Sequence, residues 1–262
     1  GNLSYASIDE SKAKARGASG VVISNWPSSG ESVSTADDPF WAAAVDEGMP
    51  VTVHINIVSR EQRMRQRQAA AKSGNKMYGG KGEAVKAKAV GSLSHVFSMS
   101  AGNISQMIFT GVFDRFPELH VAWIEIGVGW LPHFIEMLDD KYWRNRSWGE
   151  LPIGEPPSFY WRRNNSATFI TDRSGIELRE RVGVDTIMWS SDYPHHGNDW
   201  PYSRKVIDET LGNIPADERE LITGGNAARM RLNRTVAKAN RLGFFTARVM
   251  HRAEFLIQLD HR

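Results

Sequence analysis

The stretch Asp38-Pro39-Phe40-Trp41-Ala42-Ala43-Ala44-Val45-Asp46-Glu47-Gly48-Met49-Pro50-Val51-Thr52-Val53-His54-Ile55 holds a helix, its stop and a strand in direct succession. Asp38 reads as the N-cap and Pro39 as the first helical residue, where a missing N–H costs nothing. Trp41 to Glu47 continue the helix, and Gly48 ends it. Pro50 to Ile55 is then a short apolar strand closing on a histidine. The same unit recurs on both sides. Upstream, Asp9 to Arg16 are helix formers, Gly17 interrupts them, and Gly20 to Ser24 is a strand. Downstream, a helix from about Val90 to Thr110 can place Leu93, Val96, Phe97, Ile104, Met107 and Ile108 on one face, and Phe113 to Pro117 closes it. Strands are expected at Leu119–Glu125, Ser166–Thr171 and Thr186–Ser190. Helices are expected at Trp130–Arg144, opened near Pro132, and at Gly175–Val182, Tyr202–Leu211 and Ala216–Leu232. Five short apolar strands alternating with helices predict an α/β fold with a parallel sheet covered on both faces. An open doubly wound sheet is the competing architecture, and the lack of a glycine-rich turn after the first strand argues against it.

Composition narrows the function classes. The chain has 262 residues, 41% hydrophobic and 24% charged, enough to bury a sizeable core. There is no cysteine, so disulfides, thiolate metal sites and a cysteine nucleophile are excluded, and a metal would need imidazole, carboxylate or carbonyl ligands. Thirty-two basic residues, scattered among 30 acidic ones, give a net charge of +2 that carries no argument about nucleic acid, and no nucleic-acid partner is expected. No apolar run is long enough for a membrane helix, and Gly1-Asn2-Leu3-Ser4 does not read as a signal peptide, so a cytoplasmic protein away from membranes is expected. Residues 59–90 form a Gly/Lys-rich excursion, too glycine-rich to pack and too long for a tight connection. Residues 233–262 form a basic extension, read as helical and as a solvated face.

In a parallel α/β fold, functional groups project from the carboxyl ends of strands. Three of the expected strands end in His54, Glu125 and Asp192, each able to bind a metal or move a proton. Singly, each has an ordinary explanation: a hydrogen-bonded histidine, a carboxylate at the start of the next helix, an aspartate in a turn. Together they converge on one end of the sheet. His195 and His196 follow in the loop after Asp192, and since adjacent extended residues point apart, one of the two at most faces the site. Trp130 and Tyr193 flank the two carboxylates in sequence and join His195 and His196 as candidate substrate contacts. His120 and His133 are read as structural.

Pro50–Ile55, Gly111-Val112-Phe113-Asp114-Arg115-Phe116-Pro117-Glu118-Leu119, Glu125-Ile126-Gly127-Val128-Gly129-Trp130-Leu131-Pro132, Trp189-Ser190-Ser191-Asp192-Tyr193-Pro194-His195 and Gly225-Asn226-Ala227-Ala228-Arg229 stand in a distinctive order. This order, from about Gly17 to Leu232, resembles the amidohydrolase-related metal-dependent hydrolases. That branch of the amidohydrolase superfamily also holds non-oxidative decarboxylases of the aminocarboxymuconate-semialdehyde and hydroxybenzoate type. The resemblance implies a (β/α)8 TIM barrel carrying one divalent metal, usually zinc and sometimes manganese. It assigns His54 as the histidine ligand of the fifth strand and Asp192 as the metal-touching, proton-accepting aspartate of the eighth. Glu125 stands where many members have a histidine, as a third candidate ligand, and His195 matches a loop histidine facing substrate. Members open with a His-x-His or Glu-x-His strand, which this sequence lacks. Its first strand matches the family's fourth, so the expectation is a barrel represented by its last five β/α units over residues 1–232.

The activity expected first is metal-dependent hydrolysis of a small carboxylated or cyclic substrate, with Asp192 as general base and catalytic partner of His195. Decarboxylation on the same site is the alternative. A reading from another class is a metal-free barrel fragment that acts as a binding or scaffold protein. Assembly as a homo-oligomer is expected.

Overall fold

The computed structural model describes residues 17–18, 20–55, 57, 61, 64–65, 68, 91, 96–195 and 197–232. The expected helix at Asp9–Arg16, most of the Gly/Lys-rich excursion, His196 and the basic extension lie outside the described residues. Glu61, Met64, Arg65 and Gln68, at the head of the excursion, are helical.

Five strands, β1 (Val21–Ile23), β2 (Val51–His54), β3 (Val121–Ile124), β4 (Asn165–Phe169) and β5 (Ile187–Trp189), form one sheet. Every pairing is parallel, and each strand lies beside the next in sequence, with no reversal of order. A doubly wound sheet requires a switch point where the order reverses; monotonic order is the topology of a (β/α) barrel. The fold is therefore of TIM-barrel type.

The two faces of the sheet differ in kind. Val51, Val53, Val121, Trp123, Ala167, Phe169 and Ile187 are buried in the main hydrophobic core together with the covering helices. Those helices are α1 (Asp38–Glu47), α2 (Val96–Phe109), α3 (Val112–Arg115), α4 (Leu131–Asn145), α5 (Pro157–Asn164), α6 (Arg173–Glu177), α7 (Arg179–Val182), α8 (Ser203–Leu211), α9 (Ala216–Glu220) and α10 (Asn226–Leu232). They contribute Phe40, Trp41, Ile104, Met107, Phe134, Leu138 and Leu211 to that core. The alternate positions, Thr52, Ala122, Ser166, Thr168 and Met188, point to the opposite face by the two-residue strand period. That face is smaller and more polar, and it leads to the site.

Several elements depart from the sequence reading, each for a local reason. The N-cap of α1 is Asp37, not Asp38, and a 3-10 turn, Thr35–Asp37, precedes it. Asp37 makes no side-chain cap to α1, because its carboxylate accepts from the N–H groups of Ser28 (2.7 Å) and Ser34 (2.8 Å). Gly48 does stop the helix, at φ 66, where a side chain would be strained. Helix α5 was not anticipated; it opens on Pro156 and Pro157 and buries Tyr160, Trp161 and Asn164. The expected helix at Gly175–Val182 is two short helices meeting at Leu178. The closing helix is continuous but passes through a π-helical turn at Leu221–Gly225 between α9 and α10.

Candidate functional site

The carboxyl ends of β2, β3 and β5 bring together the three residues singled out from the sequence. His54 Nε2 lies 3.2 Å from Glu125 Oε2, and the Asp192 carboxyl lies close enough to Glu125 for the two charges to act on each other. Asp192 Oδ2 in turn lies 3.1 Å from His195 Nδ1. The result is a chain of four groups, His54–Glu125–Asp192–His195, with nearly buried carboxyl groups in the middle and half-exposed imidazoles at the two ends.

The backbone leaves the extended region where each chain segment enters this cluster. Ile55 (φ 64), Glu125 (φ 63) and Asp192 (φ 56) are non-glycine residues in the left-handed region. Such conformations cost of order 1–3 kcal/mol each and persist where the surroundings over-determine them. The surroundings are visible at two of the three. The Ile55 carbonyl accepts from the Ser100 hydroxyl of α2, and its N–H donates to the Ile124 carbonyl (3.0 Å). Asn103 of α2 brackets Ile57, accepting from its N–H (3.1 Å) and donating to its carbonyl (3.3 Å). The Glu125 N–H donates to the Thr168 hydroxyl (2.7 Å). Sequence reasoning missed Ser100, Asn103 and Thr168; buried polar residues within apolar helix and strand patterns were the available signal.

Electrostatics separate the two carboxyl groups. Burial opposes the charge on Glu125, but hydrogen bonds from His54 and Asp192, with the histidine charges, hold it below its ordinary value. Asp192 is pushed up to about 6, by burial first and then by the hydrogen bond and charge of Glu125. His54 is raised, chiefly by its hydrogen bond to Glu125 and despite partial burial.

The other expected site residues fall elsewhere. Trp130 packs on Phe134 with ring centroids 4.9 Å apart and donates its indole N–H to the Ile126 carbonyl (3.0 Å), so it serves the core and the loop. Tyr193 is exposed and lies 5.7 Å from the Trp200 ring. His120 is structural, 2.9 Å from the Ser166 hydroxyl, and His133 is exposed on α4.

Nitrogen and oxygen donors of this type suit zinc or manganese. The Glu125 Oε1 atom is buried without a hydrogen-bond partner, an acceptor that a cation would satisfy. Among the described residues no group of three or more His, Asp or Glu side chains already encloses such a position. The donors present therefore fit one side of a metal site.

A parallel barrel-type sheet with acid–base groups at its carboxyl ends defines an α/β enzyme fold. The Amidohydrolase family model matches residues 6–230, and the chain belongs to that family. Decarboxylase orsB of Emericella nidulans is 28% identical over 128 residues, 48% of this chain and 38% of that protein. The structure of 5-carboxyvanillate decarboxylase LigW from Sphingomonas paucimobilis superposes with a TM-score of 0.64 at 24% identity, covering 87% of this chain and 62% of that one. A dihydroxybenzoic acid decarboxylase from Polaromonas sp. JS666, with bound manganese and 2-nitroresorcinol, gives 0.60 at 18% identity, covering 91% and 67%. The chain thus spans about six-tenths of the LigW chain and under four-tenths of the curated relative. Among the described residues, no helix is long and apolar enough to cross a membrane.

Proposed function

We propose that the chain acts in the non-oxidative decarboxylation of a small hydroxylated aromatic acid, with Asp192 as proton donor. The observation that carries this reading is the setting of Asp192, buried just past β5 with its Oδ2 3.1 Å from His195 Nδ1, where burial and the neighbouring Glu125 charge favour the protonated carboxyl. Decarboxylation consumes one proton. The bond from ring carbon to carboxylate breaks, its electron pair stays on the ring carbon, carbon dioxide leaves, and that carbon takes the proton from Asp192. His195, half-exposed and 3.1 Å from Asp192, can return a proton from solvent. His54 and Glu125, with Asp192 beside them, would hold one divalent cation, manganese or zinc. When bound, it supplies positive charge that grips and orients the substrate's carboxylate and neighbouring oxygen.

Hydrolysis, placed first from the sequence, has the weaker support: it needs Asp192 as a base, and the three relatives described above all carry decarboxylase names. The test is to incubate the protein with Mn²⁺ and either 2,6-dihydroxybenzoate or 5-carboxyvanillate, following carbon dioxide release and, in D2O, deuterium at the vacated ring carbon. Asp192→Asn should lower the rate by at least about 10²-fold. Wild-type protein that releases no carbon dioxide with either manganese or zinc would overturn the assignment, as would an undiminished rate in the variant.

A further inference from the structure

We infer that the carboxyl end of β4 is a positioning device for Glu125, worked by Thr168 and Asp172; this rests on the reading of Glu125 as part of the reactive cluster. Strand β4 contributes no acid or base to the four-residue chain. It stands beside β3, however, and it holds the loop that follows Glu125 at nearly every backbone N–H. The Glu125 N–H donates to the Thr168 hydroxyl (2.7 Å), and the Gly127 N–H donates to the Thr168 carbonyl (3.2 Å). The Val128 and Gly129 N–H groups both donate to Asp172 Oδ2 (2.6 and 2.7 Å). The other oxygen, Oδ1, accepts from the Gly175 N–H (2.8 Å) and so ties the loop to the start of α6.

The fit leaves no slack. A Cβ on Gly129 would stand 2.7 Å from Asp172 Oδ1 and 3.1 Å from the Gly175 nitrogen. A Cβ on Gly175 would collide with the Val128 side chain. Val128 and Ile126 are buried on either side of Gly127, which itself lies at φ 69. Glu125 therefore sits at the mouth of a loop held at four backbone N–H groups, and its left-handed backbone (φ 63) aims the carboxylate toward His54 and Asp192. Without the Thr168 hydroxyl the Glu125 N–H loses its acceptor, and the residue is free to relax toward an extended conformation that turns the carboxylate away. Thr168 is 6% exposed, so water does not readily replace that hydroxyl. Neither residue touches substrate in this account; both act through Glu125.

The test compares wild type with Thr168→Val, Thr168→Ser and Asp172→Asn. Three quantities are read: the thermal midpoint, the Mn²⁺ affinity by electron paramagnetic resonance, and the ¹⁵N signal of the His54 imidazole at one fixed pH. The expected result for Thr168→Val and Asp172→Asn is at least a tenfold loss of Mn²⁺ affinity and a displaced His54 signal. Where turnover is measurable, kcat falls with KM little changed. Thr168→Ser, which restores the hydroxyl, should lie within about threefold of wild type on every measure. Unchanged Mn²⁺ affinity and an unchanged His54 signal in Thr168→Val would overturn the inference, as would a serine variant as impaired as the valine one. If wild type itself binds no Mn²⁺, the proposed function fails separately, and the His54 signal still decides the positioning role. A lowered thermal midpoint with no change in either site measurement would assign both residues to stability alone and likewise overturn it.

Discussion

At the level of single residues, the polar face of the sheet contains two histidines with opposite electrostatic fates. His54, at the carboxyl end of β2, gains a carboxylate partner and is raised. His120, just before β3, has only the Ser166 hydroxyl, and burial lowers it to about 4. Its folded value lies below the unfolded value of about 6.5, so the unfolded chain binds the proton more readily between the two. The stability from keeping His120 neutral is complete above about pH 6.5 and is lost as pH falls toward 4. The expected loss from this group is on the order of 1–2 kcal/mol at pH 5 relative to pH 8. His120→Gln should flatten that part of the profile, measured as the difference between variant and wild-type urea midpoints at the two pH values. A variant that follows wild type in parallel from pH 8 to pH 5 would show that His120 carries none of the dependence. His54, Glu125 and Asp192 were legible because acid–base side chains where strands end are chemically conspicuous, and His195 because it follows Asp192 in the same loop. Thr168, Asp172 and Ser100 were not, because hydroxyls and carboxylates that serve the backbone look like ordinary strand and turn residues until the neighbouring strand is known.

At the level of elements, the strands were easier to read than the helices. Short runs poor in charge between helical stretches leave few alternatives, so all five strands were found to within one or two residues at each end. Helix α5 escaped notice because its sequence, Pro-Ser-Phe-Tyr-Trp-Arg-Arg-Asn, has no clean apolar period. Its place is set by specific tertiary bonds instead. Asn164, fully buried at its last turn, donates to the carbonyls of Pro117 (2.9 Å) and Leu119 (2.8 Å) and accepts from Arg163 Nε (2.8 Å). Asn165 accepts from the Trp123 indole (2.9 Å) and donates to the Tyr160 carbonyl (3.0 Å). This pair of asparagines joins α5 to the entry and the middle of β3, the strand that ends at Glu125. Asn164→Ala would leave two carbonyls without their donor, one of them at a buried residue, at a cost of about 2 kcal/mol. For a unit of this size that is a fall of roughly 4–8 °C in Tm, readable by calorimetry. A fall of under 1 °C would mean that water satisfies both carbonyls and that α5 is held by its aromatic packing alone.

At the level of the whole molecule, net charge contributes little to cation capture. Thirty-two basic residues oppose 30 acidic ones, so no long-range field draws a dication toward the protein. At physiological ionic strength, charges beyond about 8 Å of a site are largely screened in any case. Any affinity for Mn²⁺ must then come from the local donors: the His54 imidazole, the unpartnered Glu125 Oε1 and the Asp192 carboxyl. Because these donors are brought together only by the folded ends of β2, β3 and β5, a cation bound there favours the folded chain by mass action. At free Mn²⁺ about 100-fold above its Kd the gain is about 2.7 kcal/mol, which raises Tm by roughly 5–10 °C. The rise should persist when sodium chloride is increased from 0.1 to 0.3 M, since it reflects coordination and not diffuse attraction. A chelator should reverse it, and Glu125→Gln or His54→Ala should remove most of it. If Tm does not move at millimolar Mn²⁺ or Zn²⁺, or moves equally in wild type and both variants, the three donors do not form a metal site in this chain. The barrel would then be better explained as a metal-free binding protein built on an amidohydrolase fold.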